Sequence, residues 1–185
     1  MVTRRFVVAG IVAAFALALA VVGVLAAGLG RDASSEAPAA PVPGAASVGA
    51  AADASLTTFA GERFRLRDHA GGPVFVYFWA SWCEPCKAEA QLIQRLAPEY
   101  LAQGYTFVGV NIWDGEADAR AFAQRYGLTF PLVRDADGAL YLPLAVERLP
   151  MAFFLRPGLE IERRVLGELR EPELRAALAS IGGRS

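Results

Sequence analysis

Cysteine, histidine and lysine are all scarce: the 185-residue chain holds two cysteines, one histidine and a single lysine, Lys87. Two cysteines and His69 cannot complete a four-ligand zinc site without heavy recruitment of carboxylates. They are also too few for the multi-bridge framework of a small secreted scaffold. Net charge is lacking too, at -1, which excludes a general nucleic-acid binder. What the chain does have is apolar surface, 55% of its residues, too much for a disordered polypeptide.

Much of that apolar content lies at the front. Residues 6–30 carry no charge and are dominated by Ala, Val, Leu, Ile and Phe. As a helix this run spans about 37 Å, enough to cross a hydrocarbon core of about 30 Å. Arg4 and Arg5 precede it and place the N-terminus on the cytoplasmic side, with the remainder outside. A cleaved secretory signal is the competing reading, but its apolar core usually has about 7–15 residues. The length therefore favours an uncleaved single-pass anchor over residues 1–30. Residues 31–55 are mostly Ala, Ser, Pro and Gly and read as a flexible linker.

A regular pattern begins at residue 56 and defines the domain 56–185. Residues 56–59 and 63–66 suggest a short hairpin. Residues 74–79, Val-Phe-Val-Tyr-Phe-Trp, suggest a strand buried on both faces. A helix from Cys83 to about Gln103 follows, with Leu92, Ile93, Leu96, Tyr100 and Leu101 inward and Gly104 as its stop. A second buried strand over 106–111 precedes a helix that Asp114 can cap and that runs to about Tyr126. A short extended piece at 131–133, a turn at 135–138 and one or two helical turns at 139–144 come next. A hairpin of 152–155 with 160–166 and a last helix opened by Glu171-Pro172 complete the chain. The expected fold is α/β, a mixed central sheet with helices on both faces.

The chemistry concentrates where the first buried strand hands over to a helix, in Trp79-Ala80-Ser81-Trp82-Cys83-Glu84-Pro85-Cys86-Lys87. The first turn of a helix presents free N–H groups and the positive end of the macrodipole, which favour a thiolate over a thiol. A two-residue gap brings both sulfurs within reach of one another, and Pro85 stiffens the turn where its missing N–H costs nothing. Cys83 is the candidate attacking thiolate and the more exposed of the two, and Cys86 the candidate resolving thiol. Lys87 adds a nearby positive charge that Glu84 opposes. A structural disulfide closing so short a loop would constrain the unfolded chain very little. Copper(I) held by two thiolates is an alternative, since soft ligands suit that ion. A peroxide-reducing role is disfavoured because no separate peroxidatic cysteine exists.

At these residues the chain resembles the thioredoxin superfamily, and within it the membrane-anchored thiol–disulfide oxidoreductases of the TlpA/ResA/CcmG (DsbE) type. The resemblance covers residues 56–185 and rests first on the segment from Phe78 to Cys86. Leu149-Pro150-Met151 resembles the family's cis-proline loop, which implies a cis bond before Pro150 and a substrate strand held there by backbone bonds. Trp82, Glu84, Pro85, Leu149 and Pro150 are then the implied substrate-binding residues. A strand–helix unit at about 109–126 resembles the insert of the anchored branch.

Glu89 matches an acid that relays protons to the thiols in that branch; read from the residues alone, it is equally a solvated helix carboxylate. Three departures stand out: Tyr77 replaces a buried aspartate, Gln91 replaces a kink proline, and Met151 stands where Thr or Glu is common. Pro98 lies further along and could bend the helix or end it early. The resemblance implies a thiol–disulfide oxidoreductase that reduces disulfides of extracytoplasmic proteins such as apocytochrome c. It is resupplied by a membrane thiol reductase and needs no cofactor beyond its own cysteine pair.

Overall fold

A computed structural model describes residues 48–183. Among them no helix is long and apolar enough to cross a membrane. The candidate anchor at 6–30 and most of the linker lie outside the described residues. Residues 48–55, which composition assigns to the linker, are part of the domain. A 3-10 helix at Gly49–Asp53 buries Ala51 and Ala52, and the Val48 N–H donates to the Leu159 carbonyl. Small side chains suit a shallow seat against a sheet as well as they suit a linker, so composition cannot separate the two.

The hairpin strands are β1 (Leu56–Thr57) and β2 (Arg63–Phe64), and a 3-10 turn at Leu66–His69 follows. Then come β3 (Val74–Trp79), α1 (Glu84–Leu101), β4 (Thr106–Asn111), α2 (Glu116–Arg125), β5 (Leu132–Arg134), β6 (Met151–Arg156), β7 (Glu160–Leu166) and α3 (Glu171–Ile181). The main sheet has the order β5-β4-β3-β6-β7. β3, β4 and β5 run parallel, while β6 is antiparallel to β3 and to β7. The strand–helix unit expected at about 109–126 is present as the end of β4 followed by α2, and the edge strand β5 comes after it.

β3 is central because it can be. Its β-branched and aromatic side chains fit a pleated surface, and all six are buried. Alternate residues face opposite ways. Phe75, Tyr77 and Trp79 join the cluster that contains residues of α1, α2 and α3. Val74, Val76 and Phe78 join the cluster of the first 3-10 helix, the 138–146 segment and β6. All three α-helices thus pack on one face of the sheet, which corrects the expectation of helices on both. Each large side chain fully buried this way contributes about 1.5–3 kcal/mol.

The 138–146 segment covers the second face as a series of turns, organised by one buried carboxylate. Asp135 accepts the N–H groups of Ala139, Leu140 and Tyr141 at 2.7–2.8 Å. α1 runs through Pro98 and ends at Leu101, with Gly104 at φ 86 turning the chain toward β4. Leu101, expected inward, is exposed.

Candidate active site

The strand-to-helix turn presents the two cysteines differently. Cys83 is the N-cap of α1, so it stands at the helix mouth rather than within the helix, and its N–H donates to the Ala80 carbonyl. Cys86 sits one turn in, and the two are joined as a disulfide with Cα atoms 5.3 Å apart. Cys83 is 4% exposed and Cys86 0%. The expected order holds, but the margin is small, and an incoming sulfur can meet the pair only at Cys83. The macrodipole and unpaired N–H groups at this helix end stabilise a thiolate there once the disulfide is reduced. Glu84 and Pro85 are exposed in the first turn. The Glu84 carboxylate pairs with the Lys87 ammonium, so their charges largely cancel.

A second loop braces this turn. Asp114, read from the sequence as a helix cap, does not cap α2, whose N-cap is Gly115. Its carboxylate accepts the Ser81 N–H at 2.6 Å, the Ser81 hydroxyl at 2.8 Å and the Asn111 side-chain amide at 2.9 Å. The Trp82 indole N–H donates to the Trp113 carbonyl at 2.9 Å. The segment between β4 and α2 is thereby fastened to the two residues immediately before Cys83. No pattern in the sequence announced this, since the partners are over thirty positions apart and an aspartate after a strand reads equally well as a cap.

Beneath the disulfide lies Glu89. It is on the same helix face as Cys86, three residues on, and is 1% exposed, which removes the reading of a solvated carboxylate. One oxygen accepts the Leu169 N–H at 3.1 Å; the other, Oε2, has no partner among the described residues. Burial pushes the carboxyl from an ordinary 4.5 up to about 8, against the opposing pull of the Leu169 N–H and the nearby Tyr77 hydroxyl. Tyr77 directs its own proton to the Cys86 carbonyl at 3.3 Å. Burial and the neighbouring Glu89 hold the Tyr77 phenol well above its usual value. Burial thus favours the protonated form of Glu89, one helical turn on from Cys86.

The Leu149-Pro150 bond is cis. Met151 pairs with Phe78 across the β3–β6 ladder, so Leu149 and Pro150 lie beyond the end of β3 from which the cysteine turn departs. Leu149 packs against the cluster that holds both cysteines, and the Pro150 carbonyl accepts the Gly167 N–H. The expected catalytic and binding residues therefore share one end of the sheet. Among the described residues no group of three or more His, Cys, Asp or Glu side chains is placed to hold a metal ion. His69 instead stacks on Phe64 and meets the Thr106 hydroxyl.

Residues 48–164 match the AhpC/TSA family. The chain belongs to that family. Within it the chain is a thiol–disulfide oxidoreductase of the ResA/DsbE-like type. It is 34% identical over 138 residues to the thiol-disulfide oxidoreductase ResA of Geobacillus kaustophilus, covering 74% of this chain and 79% of that one. The ResA of Bacillus subtilis is 33% identical over 60% of this chain and 62% of its own length. Among solved structures, a secreted Mycobacterium tuberculosis disulfide oxidoreductase homologous to E. coli DsbE superposes with a TM-score of 0.62 at 27% identity. That match covers 69% of this chain and 95% of that one. A thiol:disulfide interchange protein DsbE from Chlorobium tepidum gives 0.64 at 26% identity, over 73% and 99%. The thioredoxin-like fold expected from the sequence is the one observed.

Proposed function

We propose that this oxidoreductase works outside the cytoplasm, tethered through residues 6–30, and reduces disulfides of cysteine-bearing proteins there, apocytochrome c among them. The observation that carries the reading is the Cys83–Cys86 pair at the N-terminus of α1, with Cys83 the one sulfur an incoming group can reach. In the reduced protein the Cys83 thiolate attacks one sulfur of a partner disulfide. A bond forms between Cys83 and that sulfur, and the other partner sulfur leaves as a thiolate that takes up a proton. Cys86 then attacks the Cys83 sulfur, closing the internal disulfide and releasing the second partner thiol. Two electrons pass to the partner, and the enzyme must recover them from a membrane thiol reductase, because an oxidising compartment supplies none.

Trapping tests this reading. With Cys86 replaced by Ala, mixed disulfides on Cys83 should accumulate in cells and identify the partners as secreted or membrane-facing cysteine proteins. A Cys83 that stays free and reactive without capturing any protein overturns the substrate assignment. Labelling of the cysteines by a membrane-impermeant reagent tests the topology; a cytoplasmic domain, shielded until lysis, overturns the compartment.

A further inference from the structure

Trp113 has a conformation and an exposure that its own packing does not account for. It follows β4, carries φ 54, a backbone region that disfavours a bulky side chain, and leaves 43% of its surface in water. Its carbonyl holds the indole N–H of Trp82, which is itself 59% exposed. Its ring meets the Tyr141 ring edge-on at 5.6 Å. Asp114, the next residue, locks Ser81. Three aromatic residues from three segments are therefore fixed together beside the one reachable sulfur.

We propose that Trp113, with Trp82 and Tyr141, forms an aromatic rim that receives an apolar side chain adjacent to the target cysteine of an extended substrate segment. This deepens the reading of protein disulfide reduction and rests on it. The occupant follows from depth and charge. Because Cys83 is only 4% exposed, a substrate cysteine must reach inward past the rim, and residues one or two positions away, about 3.5 Å apart along an extended chain, come to lie over the rings. The charged groups next to the cysteine turn itself, Glu84, Lys87 and Asp114, already have partners. Asp114 accepts from Ser81 and Asn111, Arg134 donates to the Asp114 carbonyl, and Glu84 pairs with Lys87. What the rim offers a partner is ring surface, which favours apolar and aromatic side chains.

The test uses two disulfide-linked peptides that differ only in Phe or Ser next to the cysteine, with hydroxyethyl disulfide as a small probe. Prereduced full-length protein is the reductant and second-order rates are compared. The wild type should favour the Phe peptide by about threefold to tenfold, the range a single aromatic contact supports. Trp113→Gly suits the positive φ, so folding is not at risk, and it should bring the ratio to about one; Trp113→Phe should keep most of the preference. A wild-type ratio of one, or a ratio that survives in Trp113→Gly, overturns the proposal while leaving the oxidoreductase reading intact if hydroxyethyl disulfide is still reduced. Failure of folded wild type to reduce any of the three disulfides overturns both.

Discussion

Replacing Glu89 with Gln removes a titration that the fold makes costly. In the folded protein the carboxyl holds its proton up to about pH 8, whereas the unfolded chain releases it near 4.5. Because the folded value is the higher, the native state is favoured in full below the unfolded pKa, and the advantage is lost as pH rises from about 4.5 to 8. Over that window the slope reaches about 1.4 kcal/mol per pH unit, and the three and a half units between 4.5 and 8 sum to roughly 5 kcal/mol. Water reaching the carboxylate through local opening reduces the full figure. The neutral amide of the Glu89→Gln variant has no such dependence. Its extra N–H group costs about 1–3 kcal/mol at every pH, which moves the curve without tilting it. Guanidinium unfolding of the oxidised wild type and variant between pH 5 and 8.5 gives the difference directly, since all other titrations cancel. The wild type should lose stability relative to the variant as pH rises. Parallel curves, or a wild type that gains stability relative to the variant, would refute the assignment of a buried, protonated Glu89.

Other perturbations probe separate parts of the account. Tyr77→Phe removes the bond to the Cys86 carbonyl and the hydroxyl that favours the Glu89 anion. It should cost about 0.5–1.5 kcal/mol and move the Glu89 titration above its present value of about 8, readable by carboxyl NMR. Gly109→Ala places a Cβ 2.6 Å from Leu132 Cδ2 and 3.0 Å from Trp79 Nε1, and should lower unfolding free energy by about 1–3 kcal/mol. Asp135→Ala leaves three N–H groups of the 138–146 segment unpaired, and a loss of about 1–3 kcal/mol in the same assay is expected.

The strands and helices were legible where one force acted alone. The unbroken apolar run of β3, the second strand at 106–111 and the turn at Pro157-Gly158 each have one low-energy reading, and each occurs where the pattern places it. The layering was not legible, because β3 is equally apolar on both faces and nothing in it distinguishes a face covered by helices from one covered by turns. The cysteine pair announced itself through its spacing at a strand–helix junction. Glu89 could have been placed: the helical period puts it on the stripe of Cys86, Ile93 and Leu96, where a solvated carboxylate has no room. The Asp114 brace and the Trp113 rim could not, since they depend on a contact between distant loops that no periodicity encodes.

The central claim, that Cys83 and Cys86 pass electrons to protein disulfides, is tested most directly by a stoichiometry. Prereduced protein is mixed with a disulfide-bearing protein, and thiols gained and lost are counted for wild type, Cys83→Ser and Cys86→Ser. One partner disulfide should be reduced for each Cys83–Cys86 disulfide formed, with no reaction in Cys83→Ser and arrest at a stable mixed disulfide in Cys86→Ser. Retention of both thiols in the wild type beside an intact partner disulfide would contradict it.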